Sequence, residues 1–167
     1  IIRLQASLDR VEQRQAATLS SLEESYDSKA RRIRGVLTEL GVDVVRGPVE
    51  DVLTRFLLAV DGRSADAVMR LTADCPLLDP AVLAVVGAAV RSGSVDYVST
   101  GTPRTLPRGL DCEAFPIATL RRLDELALDY HRTHVTSYAY THPDEFRCAG
   151  ITFAPAASHL RVTVDTP

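Results

Sequence analysis

Ala67-Val-Met-Arg-Leu-Thr-Ala-Asp-Cys-Pro-Leu-Leu-Asp-Pro80 is a short apolar run that turns, through a proline-stiffened loop, into a capped helix. Ala67 to Leu71 reads as a strand. Asp79 suits an N-cap and Pro80 a first helical turn, where its missing N–H costs nothing, so a helix should run from there to about Arg91. Asp74 leaves the strand in the loop between them.

The same alternation extends in both directions. Val42 to Arg46 is a β-branched run read as a strand, and Gly47-Pro48 opens a helix across Val52, Leu53, Phe56, Leu57 and Val60. Val95 to Ser99 reads as a further strand and Leu110 to Phe115 as another. Pro116 to Tyr130 forms a helix with Leu120, Leu123, Leu126 and Ala127 on one face. His131 to Thr141 is helical or turn-rich, and Leu160 to Val164 alternates like a final strand. Strands alternating with helices predict an α/β fold, a mainly parallel sheet flanked by helices, with the loops after the strands along one ligand-binding edge.

Residues 1–40 differ in character. Leu8, Val11, Leu19, Leu22, Tyr26, Ala30, Ile33 and Leu37 sit at helical steps, and the pattern from Leu8 repeats every eleven residues. A helical N-terminal segment is expected there, either packed on the body or paired as a coiled coil, followed by an α/β domain over 41–167. Leu4 to about Thr18 should be helical, since Glu12 to Thr18 lacks period-two alternation.

Composition narrows the function. The chain has 167 residues, 46% hydrophobic and 25% charged, with net charge −3. That balance excludes disorder and argues against a nucleic-acid partner, which favours a basic surplus. No apolar run reaches the length of a membrane span. Three cysteines without a CxxC pair give neither a disulfide framework nor a zinc site, and no signal peptide is evident, which points to the cytoplasm.

Four loops carry candidate chemistry. Asp74 and Asp165, each leaving a strand, could converge on one Mg²⁺; a turn residue is the competing account of Asp74. Arg104 and Arg108, before a strand, could clamp an anion or form ordinary surface ion pairs. His131 and His134 share a helical face, where a capping or core role competes with a metal pair. The chain carries eighteen arginines and one lysine, Lys29, and no Gly-rich phosphate cradle with its lysine.

Five blocks taken together resemble the acylneuraminate cytidylyltransferase family, in the branch named for the spore coat polysaccharide biosynthesis protein F. They run from Gly41 to Phe56, Arg70 to Pro80, Pro107 to Glu113, His134 to Phe146 and Arg161 to Pro167. The resemblance implies a nucleotide-diphospho-sugar transferase fold, usually in a homodimer, that transfers CMP from CTP to a sugar or sugar acid for surface polysaccharide synthesis. It implies that Asp74 and Asp165 hold Mg²⁺. It places Arg108, Asp111 and Glu113 in a catalytic loop on the sugar side, and His134, Thr136 and Tyr138 near it. Arg46, Asp51 and Arg55 fall in a block on the nucleotide side.

The family's opening phosphate loop, of the form QAR-x-x-S-T-R-L-P-G-K, has no match here, and the chain stops at Pro167, where a terminal helix would begin. The expectation is therefore a truncated or altered piece of such an enzyme, inactive alone. Two other functions stay open: a non-catalytic homologue or dimerisation module, and a sugar transferase using a ready-made nucleotide sugar.

Overall fold

The computed structural model describes residues 2–164; for residues 2–16, 19, 22 and 23 it describes the backbone alone. Asp165 lies outside the described residues. The chain divides into two units, Ile1–Val45 and Arg46–Pro167.

The first unit is one helix, α1 (Ile2–Glu39), as the periodicity predicts. It ends where Gly41 takes φ +70°. The Gly41 N–H then bonds the Thr38 carbonyl at 3.0 Å and the Val42 N–H bonds Leu37 at 2.8 Å, which satisfies two otherwise orphaned helix carbonyls. Val42 to Arg46, expected as a strand, has no regular structure and does not enter the sheet. β-Branched propensity alone does not make a strand; a neighbouring ladder is also required.

The second unit contains α2 (Val52–Val60), β1 (Ala67–Arg70), α3 (Pro80–Arg91), β2 (Tyr97–Ser99) and β3 (Glu113–Pro116). It continues with α4 (Ile117–Leu126), α5 (Tyr130–Thr133), α6 (Ser137–Thr141) and β4 (Cys148–Gly150). Asp79 caps α3 through the Ala81 N–H at 2.8 Å, with Pro80 in its first turn, as read from sequence. The helix over Gly47-Pro48 begins later than expected, because Asp51 takes the N-cap and accepts from the Thr54 N–H at 2.9 Å.

The fold is α/β, a four-stranded sheet flanked by helices, in the order β1-β3-β2-β4. β3 pairs antiparallel with both β1 and β2, and β2 pairs parallel with β4. Three strands thus share one direction, but β3 is inserted between two of them in reverse. The expected mainly parallel sheet holds for strand direction and is corrected for pairing: two of the three ladders are antiparallel. Leu160 to Val164, expected as a strand, contributes a bridge from Arg161 to Arg108 and no ladder. β4 was not anticipated, since Cys148-Ala-Gly150 lacks β-branched residues.

The sheet alternates its side chains between two cores. Tyr97 and Phe115 face Leu53, Leu120, Leu123 and Phe146 beneath α2 and α4. Val98 and Ala114 face Val86 and Val90 of α3. β2 is tied to β4 at its start by Arg147, which donates to Asp96 through Nε (3.0 Å), Nη2 (2.8 Å) and its backbone N–H (2.9 Å). Hydrogen bonds from Arg147 hold the Asp96 carboxyl below its ordinary value of 3.8.

A folded-state pKa that is depressed contributes stability above the unfolded value, and that contribution is lost as pH falls through the folded one. Asp96→Asn should therefore lower stability near pH 7 by about 1 kcal/mol or less. Urea denaturation of both proteins should show the difference closing below pH 3.8. A gap unchanged in acid would mean that the Arg147 strap does not stabilise the sheet.

Candidate active site

Because β3 runs backward, its first residue reaches the same sheet edge as the last residues of β1 and β2. Glu113 stands opposite Arg70 in one ladder and opposite Ser99 in the other. A cavity of about 310 Å³ opens at this edge, lined by strand ends, by the loops that follow β1 and β2, and by Tyr140 of α6.

Glu113 collects three donors from three parts of the chain. Arg70 Nη1 donates at 3.0 Å, Tyr97 Oη at 3.0 Å and Thr136 Oγ1 at 2.9 Å. Burial, with the Glu113 charge beside it, pushes the Tyr97 phenol far above its usual range, so it remains a protonated donor. Across the cavity Arg104 Nη1 lies 2.6 Å from Asp111 Oδ1, and Asp111 Oδ2 accepts from the Gly109 N–H at 3.1 Å.

Gly109 sits at φ +106°, and a side chain there would strike the backbone of Val162 and Thr163. That close approach seats the last described segment. Arg108 donates its N–H to Leu160 (3.0 Å) and its carbonyl accepts from Val162 (2.7 Å), while the Val164 N–H bonds the Asp74 carbonyl at 2.9 Å. The residue before Asp165 thus lies against the loop of Asp74. A hydrogen bond from Thr72 leads the causes that hold the Asp74 carboxyl below its ordinary range. Among the described residues no group of three His, Cys, Asp or Glu side chains gathers to hold a metal.

Of the residues singled out from sequence, Asp111 and Glu113 line the cavity, and Thr136 supports it through Glu113. Arg108 is exposed and contributes through its backbone. Arg46, Asp51, Arg55, His134 and Tyr138 are not among the lining residues. Asp51 caps α2 and receives Arg132 Nε at 2.7 Å, and Arg55 Nη2 donates to the Val49 carbonyl at 3.2 Å. His134 packs tilted against Tyr130 at 4.1 Å, and Tyr138 stacks on His142 at 3.9 Å. His131, the other histidine considered for metal, bonds Ser137 Oγ at 2.7 Å. Arg70, Tyr97 and Tyr140 were missed. The available signal was Arg70 near the end of the strand read over Ala67 to Leu71.

A cytidylyltransferase family model matches residues 9–166. The chain belongs to the cytidylyltransferase family. It is 33% identical over 133 residues to the uncharacterized protein MJ1063 of Methanocaldococcus jannaschii, covering 76% of this chain and 52% of that protein. It is 32% identical over 132 residues to the spore coat polysaccharide biosynthesis protein SpsF of Bacillus subtilis, covering 75% and 53%. A cytidylyltransferase structure from Leptospira borgpetersenii superposes with a TM-score of 0.77 at 29% identity, over 81% of this chain and 58% of that one. The chain spans about half the length of the curated relatives it matches. No described helix of this cytidylyltransferase domain is long and apolar enough to cross a membrane.

The Thr72 hydroxyl, 3.1 Å from Cys75 Sγ, is also first among the groups that favour the ionised Asp74 carboxyl. Thr72→Val, similar in shape but without the donor, should raise the Asp74 pKa toward 3.8, as read by NMR titration of its side-chain carbon. An unmoved titration would detach Thr72 from the site.

Proposed function

We propose that this domain serves CMP transfer from CTP to a hydroxyl of a sugar or sugar acid, for surface polysaccharide synthesis, in a cytoplasmic homodimer that uses Mg²⁺. The observation that carries the proposal is the gathering at one sheet edge of the acidic Asp74 loop, the segment leading to Asp165, and a polar cavity. The strap of residues 160–164 across Gly109 and Asp74 is what links metal side and sugar side.

The donor set suits a hard divalent cation. Carboxylate oxygens of Asp74 and Asp165 would hold it, leaving positions for water and phosphate oxygens. When bound, the ion supplies charge neutralisation on the α-phosphate and the departing pyrophosphate. The chain's own task is positioning. Arg70 and Arg104 orient oxygen acceptors, and Glu113 and Asp111 fix those guanidinium groups in place. Both arginines already face a carboxylate, so they offer little neutralisation to a triphosphate.

The 167-residue chain should accordingly bind CTP weakly and only with Mg²⁺, and release no measurable pyrophosphate from CTP and sugar. Calorimetric titration of CTP with and without Mg²⁺ checks this. Asp74→Asn should weaken the Mg²⁺-dependent binding by about tenfold or more, since Mg²⁺ is held through only one or two carboxylates. Binding that is indifferent to Mg²⁺ and to Asp74→Asn would overturn the metal assignment. Robust pyrophosphate release would mean that the nucleotide is held by other residues.

A further inference from the structure

Helix α1 presents apolar residues to solvent. Tyr26, Ile33 and Val36 retain 71%, 59% and 51% exposure. Among the described residues, the unit Ile1–Val45 contains no second helix or strand to cover them. An amphipathic helix in water owes most of its stability to the packing of its apolar face, so this stripe calls for a partner surface.

The sequence along the stripe indicates which partner. Leu19, Leu22 and Tyr26 recur eleven residues later as Ala30, Ile33 and Leu37. A repeat of eleven keeps one face aligned along a nearly straight helix. The residue that follows a stripe position is charged over this length: Glu23 after Leu22, Asp27 after Tyr26, Arg31 after Ala30 and Arg34 after Ile33. One edge of the stripe is therefore acidic in its first half and basic in its second. Turned end for end, that edge is its own complement, which is what a two-fold interface between identical surfaces requires.

We infer that α1 pairs antiparallel with α1 of a second copy, about a two-fold axis near Ser28. The inference rests on the homodimer of the transferase reading and assigns its surface. In this register position 23 falls opposite 34 of the second copy, and 27 opposite 31, so acid–guanidinium pairs and their symmetry mates flank the seam. Tyr26 falls opposite Ala30, a large residue against a small one, as interdigitating layers need. A parallel pair would set this edge against the other edge of the stripe, where Lys29 and Arg32 would meet Arg31 and Arg34.

Sedimentation of the 167-residue chain should show a concentration-dependent dimer. Arg31→Glu with Arg34→Glu makes the edge wholly acidic; Glu23→Arg with Asp27→Arg makes it wholly basic. Each double change should weaken self-association about tenfold or more. An equimolar mixture of the two variants should restore association as a mixed dimer. Repulsion within a single helix would also weaken association, but mixing cannot relieve it. Should either variant lose its fold, Ile33→Ser tests the stripe in its place and should weaken the dimer by a similar factor.

A wild type that stays monomeric overturns the inference together with the homodimer. A dimer untouched by the substitutions, or one that the mixture fails to restore, overturns the inference and leaves the homodimer to another surface. Mg²⁺-dependent CTP binding in the same samples reports on the nucleotide site. Its loss with dimerisation intact counts against the transferase reading alone.

Discussion

One carboxylate, on Glu113, holds the edge of the sheet together. It opens β3, the reversed strand between β1 and β2, and it binds a guanidinium from β1, a phenol from β2 and a hydroxyl from the turn before α6. A partly buried carboxylate requires such partners, because its desolvation costs several kcal/mol when they are missing. Arg70 and Glu113 are partly buried, so removing one partner leaves a partly desolvated charge without its counterpart, and the four side chains act as a unit. The same unit forms one wall of the cavity. Fold and site depend on a single charge.

The reversed strand explains the rest of the geometry. Had β3 run with its neighbours, Glu113 would open on the opposite edge, away from the ends of β1 and β2. Two close backbone approaches then seat the loops over that edge. Gly109 admits residues 162 and 163, and a side chain at Gly150 would collide with the Thr102 carbonyl. Both glycines belong to the packing of the site walls, although neither offers a functional group. The apolar alternation of Tyr97-Val98 and Ala114-Phe115 divides the helices between the two faces and leaves the edge polar.

Much of this was legible in the sequence where local chemistry decides it. The Asp79-Pro80 cap, the strand at Ala67, the helical periodicity of the first segment and the single-edge placement of the loops follow from backbone preference and hydrophobic spacing. What local chemistry does not decide was misread. Val42 to Arg46 has strand composition but stays out of the sheet, and Cys148 to Gly150 is a strand without strand composition. Pairing direction is a long-range property, so the reversal of β3 left no mark on its own residues. The site divided in the same way. Asp111 and Glu113 were found as charges in a loop before a strand. Arg70, Tyr97 and Tyr140 enter the cavity only through tertiary contact, while Asp51, His134 and Tyr138, polar and suitably spaced, are engaged in capping and stacking.

Pairing the cavity's charges internally has a functional consequence. Two free arginines at the strand ends would repel one another and draw in any available anion. Held by Asp111 and Glu113, they keep fixed directions before a ligand arrives, and little reorganisation remains when one binds. The same pairing lowers their value as phosphate ligands, since each guanidinium already faces a negative charge. Holding a fixed direction and neutralising a further anion are thus opposing demands on one set of arginines.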